Sequence, residues 1–137
     1  RVDYKGRSVV FSGDTRSLPG SKIIEISKGV DVLIHETQIP YPGDSKEAKL
    51  ANVSMIVHSS PEQVAYVFNE TRPRLGIYHH IIPPETTRDE LLGMTDYDGR
   101  MEVAEDLMTL MIGDEITVGM AERMDGQTFL ESDAVDD

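Results

Sequence analysis

Short apolar runs alternate with helical patterns along the first hundred residues. Apolar residues on both sides of the Lys5-Gly6 turn predict a β-hairpin over residues 2–12. Short apolar runs at residues 30–34 and 75–78 predict two further strands, and the isoleucines of residues 23–26 predict a short helix between the hairpin and the first of them. The order strand, helix, strand, helix, strand is typical of an α/β fold with sheet and helix layers.

Two helix starts are marked by capping signals. Ser60 is a good N-cap, Pro61 suits the first helical turn, and Gln63 completes a capping box. Thr87 and Glu90 have the same three-residue spacing and predict a second capped helix. Both helices are therefore expected to begin at defined residues, each directly before an apolar stripe.

The C-terminal part is predicted to be rich in β-structure. Apolar runs cover residues 101–103, 107–112 and 116–120, and Gly113-Asp114 suits a tight turn between the last two. The acidic tail, residues 131–137, is expected to fray. With 137 residues and no linker or internal repeat, the chain is expected to form a single partial domain over residues 1–137.

Composition narrows the classes of function. The chain has 13 Lys and Arg against 25 Asp and Glu, a formal net charge of −12. An acidic surface repels phosphate backbones, so binding of nucleic acid by charge alone is disfavoured. Cysteine is absent, which excludes disulfides and thiolate metal ligands. No apolar run approaches the length that spans a bilayer, and a cytoplasmic location is favoured although the compartment stays open.

Polar residues follow three of the predicted strands. Asp14 follows the second strand of the hairpin, His35-Glu36 follows residues 30–34, and His79-His80 follows residues 75–78. In open α/β sheets, ligands bind beyond the carboxyl ends of the strands. Imidazole and carboxylate groups are suitable ligands for zinc, iron or manganese. A metal or acid–base cluster is one interpretation of these residues, and turn or buried structural roles are the other.

Three collinear segments resemble a known family. VVFSGDTR at residues 9–16 resembles the strand and Gly-Asp-Thr turn of metallo-β-lactamase-fold hydrolases. GVDVLIHET at residues 29–37 is similar to a segment of the ribonuclease Z branch, the endonucleases that process tRNA 3′ ends. VHSSPEQVAYVFNETRPRLGIYHH at residues 57–80 is similar to the next family block. The resemblance covers roughly residues 7–82.

The family resemblance implies a role for each matched residue. Asp14 would bridge two metals, and His79 would be the terminal metal ligand, with His80 as the rival if the register slips by one. His58 would be a catalytic histidine near the leaving group, and Glu36 would orient it and assist proton transfer. His35 is expected to support the loop and not to bind metal. The implied cofactor is a pair of divalent metals, zinc favoured over manganese or iron.

The main family signature, His-x-His-x-Asp-His, is absent from these 137 residues. The family carries it in its N-terminal half. The resemblance therefore implies that this chain is a fragment: the C-terminal half of a four-layer αβ/βα metallo-β-lactamase sandwich, with the N-terminal half missing. Asp14 and one histidine are too few ligands for a catalytic zinc site.

The resemblance implies a metal-dependent hydrolase that uses a metal-bound hydroxide at a binuclear site left incomplete in this chain. A small anionic phosphodiester, sulfate ester or other ester is the expected substrate, in the manner of the ribonuclease Z-like or arylsulfatase-like branches. The alternatives are a non-catalytic half-domain and an acidic α/β binding module. The half-domain alternative predicts exposed apolar surface, and with it a homo-oligomer or association with the missing half.

Overall fold

The computed structural model describes residues 1–121 and divides the chain into two compact units, residues 1–104 and residues 105–137. The first unit contains a five-stranded sheet in the order β1-β2-β3-β4-β5. β1 pairs with β2 in antiparallel fashion, and the other three pairs are parallel. The strands are β1 (Val2–Tyr4), β2 (Arg7–Phe11), β3 (Val32–Gln38), β4 (Leu75–Ile82) and β5 (Met101–Val103).

Helical segments connect the parallel strands. They are α1 (Lys22–Ser27), α2 (Lys46–Ala51), a 3-10 helix (Asn52–Ile56), α3 (Pro61–Thr71) and α4 (Arg88–Gly93). Both predicted capping boxes are present. The Ser60 hydroxyl accepts from the backbone N–H of Gln63 at the start of α3, and the Thr87 hydroxyl accepts from the backbone N–H of Glu90 at the start of α4. The hairpin turn is also confirmed, because Lys5 and Gly6 both have positive φ, as this type of tight turn requires.

The hydrophobic core of the first unit lies between the sheet and the helices α1, α3 and α4. Phe68 of α3 is fully buried and packs edge-on against Tyr78 of β4, with ring centroids 5.6 Å apart. Gly76 allows this close approach, because a Cβ there would lie 2.9 Å from the Phe68 ring. The other core members come from these strands and helices, from the α1–β3 connection and from the segment after α4: Val10, Ile23, Ile24, Val30, Leu33, Val64, Val67, Leu91 and Tyr97.

Two strands are longer than their apolar runs predicted. β3 continues through His35 and Glu36 to Gln38, and β4 continues through His79 and His80 to Ile82. The polar residues therefore lie within paired strands and not after them. The reason is that β3 and β4 pair over their whole length, so that backbone hydrogen bonds extend the strands past the last apolar side chain.

The described part of the second unit is a hairpin of β6 (Met108–Ile112) and β7 (Ile116–Met120), as predicted for these residues. Residues 131–137, expected to fray, lie outside the described residues. The single partial domain over residues 1–137 stays a prediction. No helix within residues 1–121 is both long and apolar enough to cross a membrane.

Candidate metal centre

Three polar side chains converge beside the carboxyl ends of β2 and β4. Asp14, His58 and His80 each offer one ligand atom, and these atoms all lie within 4.8 Å of one another. His80 Nδ1 lies 3.0 Å from Asp14 Oδ1, and the rings of His58 and His80 meet edge to face with centroids 5.5 Å apart. The group contains two imidazoles and one carboxylate, a donor set that suits zinc, manganese or iron.

A hydrogen bond to Glu36 fixes the orientation of the His58 ring. The Glu36 side chain is fully buried, and its Oε2 lies 2.9 Å from His58 Nδ1. Its other oxygen accepts from the backbone N–H of Ser59 at 2.8 Å. A carboxylate can only accept, so His58 Nδ1 donates and the Nε2 edge of the ring is left for other partners. This is the carboxylate–histidine arrangement that fixes the tautomer and orientation of a functional imidazole.

Ser59 ties three parts of the site together, and all of its polar groups are used. Its hydroxyl donates to the carbonyl of Thr15 at 2.6 Å and accepts from the backbone N–H of Ser17 at 2.9 Å. Its carbonyl accepts from the backbone N–H of Gln38 at 2.8 Å and from the hydroxyl of Thr37 at 3.1 Å. Ser59 thus fastens the loop that carries Asp14 to the start of α3 and to the end of β3.

His35 supports the same loop, as expected. Its Nε2 lies 2.8 Å from the hydroxyl of Ser17, and its Nδ1 lies 2.7 Å from the carbonyl of Glu36. Burial lowers the pKa of His35 from 6.5 to about 4, with a smaller contribution from His79, and the hydrogen bond to Glu36 acts in the opposite direction. The ring is therefore neutral at pH 7, and it donates from Nδ1 and accepts the Ser17 hydroxyl at Nε2.

A β-bulge determines which of the adjacent histidines meets Asp14. Glu36 pairs with His79 and Thr37 pairs with Ile81, so His80 is the extra residue between two aligned pairs. His80 has φ of 44°, in the left-handed region. A bulge re-aims a side chain and breaks the strict alternation of faces along a strand. The bulge therefore brings His80, the rival candidate, into contact with Asp14.

His79 lies outside the group formed by Asp14, His58 and His80. Its Nε2 is buried and has no hydrogen-bond partner within the described residues. Burial lowers the pKa of His79, repulsion from His80 lowers it further, and Asp14 raises it. A buried nitrogen without a partner requires an explanation, and an ion or a water is the usual one. The role predicted for His79 stays a prediction.

The structure brings together Asp14, Glu36, His58 and His80 from the predicted set. Sequence reasoning missed Ser59, which is fully buried and hydrogen-bonds to Glu36, Thr15 and Ser17. The only local signal was its position between His58 and the N-cap Ser60. Its contacts to Thr15 and Ser17 cross 44 and 42 residues of sequence, and no local pattern reports contacts of that range.

Known proteins resemble the chain in both sequence and fold. It is 42% identical over 77 residues to the ribonuclease Z of Bacillus subtilis (strain 168), a match that covers 56% of this chain and 22% of that protein. It is 36% identical over 112 residues to the ribonuclease Z of Methanosarcina mazei, covering 78% of this chain and 33% of that protein. No family model matches the chain.

Among solved structures, the chain matches the metallo-beta-lactamase fold protein YhfI from Bacillus subtilis. The TM-score is 0.56 at 17% identity, and the match covers 82% of this chain and 40% of that one. The chain therefore has part of a metallo-β-lactamase fold, and the predicted fold class is confirmed.

Within that class its sequence is similar to ribonuclease Z, which confirms the predicted resemblance. The matches span about a fifth to a third of the length of these two relatives.

Proposed function

We propose that the chain contributes the Asp14, His58 and His80 side of a metal-dependent phosphodiester hydrolase site. The observation that carries the proposal is the convergence of these three side chains within 4.8 Å, with Glu36 behind His58. Two further findings support it: the fold is that of a metallo-β-lactamase-fold protein, and the similar sequences are named ribonuclease Z.

The residues present fit a divalent metal. Asp14 and His80 are in contact and both exposed, so a cation can reach them, and His79 adds a buried nitrogen that has no hydrogen-bond partner among residues 1–121. When bound, the metal supplies positive charge that polarises the ester and an activated water. Zinc is the favoured ion because the donors are imidazole and carboxylate, and manganese or iron are the alternatives. A second metal would need donors beyond these residues.

Of the three converging side chains, Asp14 and His80 are proposed to hold the metal, and His58 is proposed to act instead as a proton donor toward the leaving group. Its Nδ1 is committed to Glu36, which leaves Nε2 directed away from that buried carboxyl group. Glu36 positions the ring, because its carboxylate accepts from Nδ1 at 2.9 Å. His58 is thereby held with its Nε2 edge free for a proton transfer.

The substrate is proposed to be a phosphodiester of nucleic acid. The net charge of −12 favoured a small ester instead, but net charge describes the whole surface and a metal site acts locally. The names of the similar proteins favour ribonucleic acid over a sulfate ester. The phosphate would meet the imidazoles and the metal, while the acidic remainder of the surface keeps the strand from binding elsewhere.

Metal binding tests the proposal directly. The purified chain is equilibrated with zinc or manganese, and bound metal is measured by elemental analysis and by titration calorimetry. We expect Asp14→Asn to weaken metal binding by more than about tenfold, since changes even in outer-shell partners cost that much. Asp44→Asn is the matched control, because the Asp44 side chain is 99% exposed and its Oδ1 lies 3.7 Å from Lys49 Nζ.

Equal metal affinity in the Asp14→Asn variant and the wild type would refute the assignment. So would wild-type protein that binds no metal at all. Where metal binds, hydrolysis of bis(p-nitrophenyl) phosphate is measured next, in the chain alone and with His58→Gln. A His58→Gln variant that keeps its metal and loses turnover supports the proton-donor role.

Self-association is a separate proposal. Val2, Tyr4 and Phe11 lie on one face of the β1–β2 hairpin with exposed fractions of 59%, 69% and 58%. Exposed apolar patches of this kind mark interaction surfaces. Sedimentation velocity should show a concentration-dependent dimer that Phe11→Ser weakens. A wild-type chain that stays monomeric at high concentration would contradict this.

A further inference from the structure

A small cavity continues the strand pair that carries Glu36 and His79. Its volume is about 240 Å³. The backbone N–H of Ile39 donates to the carbonyl of Ile82 at 2.7 Å, so the cavity begins where the β3–β4 pairing ends. The lining residues are Ile39, Pro83, Glu85, Thr86, Glu90 and Met94. No residue of the candidate metal centre lines it.

The cavity walls are held in place by local hydrogen bonds. Thr86 donates to the carbonyl of Pro83 from both its backbone and its hydroxyl, at 3.2 and 2.8 Å. Glu90 accepts from the backbone and the hydroxyl of Thr87 at 2.9 and 2.7 Å. The backbone of Met94 donates to the carbonyl of Glu90 at 3.2 Å. The cavity surface is therefore preorganised, and ligand binding would cost little entropy for ordering its walls.

The chemistry of the walls selects one kind of ligand. Ile39, Pro83 and Met94 form an apolar surface, and the charged groups, Glu85 and Glu90, are both carboxylates. Carboxylates only accept hydrogen bonds and repel anions, so these walls favour a ligand that carries N–H or O–H donors and disfavour a phosphate in the cavity. The volume lies below the range of about 300–1,000 Å³ of sites for drug-sized ligands, which indicates a single ring system.

The position of the cavity relates this ligand to the phosphodiester site. Ile39 lies three positions after Glu36, whose carboxylate contacts His58, and three positions correspond to about 10 Å along a strand. A phosphate at the metal centre and the base of the same or the next nucleotide span a distance of this kind. We propose that the cavity is a subsite for one amino-bearing nucleobase, cytosine or adenine, of a strand whose phosphate lies at the metal centre; the link to the phosphate rests on the proposed function.

Uracil is the informative competitor. Cytosine and adenine present an exocyclic amino group that Glu85 can accept. Uracil has its single ring N–H flanked by two carbonyl oxygens, which the carboxylates repel. Discrimination therefore depends on a hydrogen-bond acceptor at Glu85, and it should disappear when that carboxylate becomes an amide that donates as readily as it accepts.

The test uses nucleosides, which carry no phosphate. The 137-residue chain, with labelled isoleucine and methionine methyl groups, is titrated with cytidine, adenosine and uridine in the presence of a metal chelator. We expect cytidine and adenosine to shift the methyl signals of Ile39 and Met94 and to bind about fivefold more tightly than uridine, the effect of one hydrogen bond. Glu85→Gln should bring the ratio close to one. Glu70→Gln, on an exposed position of α3, should leave it unchanged.

Three results would overturn the subsite: unshifted Ile39 and Met94 signals with all three nucleosides, equal affinity for uridine, or a ratio that survives in Glu85→Gln. The outcome is independent of metal binding because the chelator removes metal. Nucleosides that bind here in a chain whose Asp14 binds no metal would leave the subsite standing and refute the proposed hydrolase. Metal binding without nucleoside binding would refute the subsite and leave the proposed hydrolase standing.

Discussion

The candidate metal centre has two regions in contrasting environments. Its support, formed by Glu36, His35 and Ser59, is fully buried, and each polar side chain has partners within the chain. Its rim, formed by Asp14 and His80, has side chains that are 60% and 45% exposed and that contact each other. The support is therefore expected to contribute to folding, whereas the rim is expected to act on a ligand and to contribute little to stability.

The largest effect is expected at the centre of the support. Glu36→Ala leaves two buried donors, His58 Nδ1 and the Ser59 N–H, without an acceptor. Each unsatisfied buried donor costs about 2 kcal/mol, so the free energy of unfolding should fall by about 4 kcal/mol. Urea denaturation measures it. Glu70→Ala, an exposed change on α3, should stay within about 0.5 kcal/mol of the wild type, and an equally small loss for Glu36→Ala would contradict a structural role.

The next effect is a pH dependence from His35. Unfolded, its imidazole takes up a proton near pH 6.5; folded, burial lowers its pKa to about 4. Between these values the unfolded chain binds more protons, so the stability present above pH 6.5 is lost as the pH falls toward 4. The loss should reach about 3 kcal/mol. His35→Gln should make the free energy of unfolding less dependent on pH in the window between the two pKa values. An equal pH dependence in the variant and the wild type would refute the assignment to His35.

Substitution of Ser59 tests whether the buried support controls metal binding at the exposed rim. Ser59→Ala removes the hydroxyl contacts to Thr15 and Ser17 and should cost about 2 kcal/mol, since the buried N–H of Ser17 and the half-buried carbonyl of Thr15 lose their partner. Because the loop that carries Asp14 is then released, metal affinity should fall as well. Ser60→Ala is the matched control: it removes the N-cap of α3, costs about 1 kcal/mol, and leaves the loop fastened. Equal metal affinities in the two variants would contradict the link.

The smallest stability effect is expected at the rim. Asp14→Ala should change the free energy of unfolding by less than about 0.5 kcal/mol in the presence of a chelator, because an exposed contact with His80 contributes little. The same variant should lose the stabilisation that added metal confers on the wild type. A loss above about 1 kcal/mol without metal would mean that Asp14 belongs to the support and that the contrast is wrong.

Local patterns predicted much of the fold because their physical causes lie within a few residues. The capping boxes at Ser60 and Thr87 each involve a residue three positions away, and the Lys5-Gly6 turn needs only two residues of positive φ. The strand limits were less accurate. Polar residues of β3 and β4 remain paired because the neighbouring strand satisfies their backbone groups, and that partner lies about forty residues away in the chain.

Part of the candidate site could likewise be predicted from local sequence, and part depended on how distant segments pair. Asp14, Glu36 and His58 could be chosen from the sequence because they stand at the ends of recognisable segments, and the structure brings them into one site. The family resemblance favours His79 over His80 as the terminal ligand, but the sequence gives little ground for the choice, because both follow the same apolar run. The bulge at His80 depends on how β4 registers against β3, and the register is a property of the pair of strands.

The sequence by itself determined the α/β class, the capped helices and the residue types able to hold a metal. The tertiary structure decided that His80 meets Asp14, that Ser59 holds the loop, and that a cavity with two carboxylates lies beyond the same strand ends. Helix caps and turns are stabilised by residues that are neighbours in the chain, so they can be predicted from the sequence alone. A bulge, a buried hydrogen-bond network and a cavity exist only once distant segments pack, because their energies come from contacts between those segments.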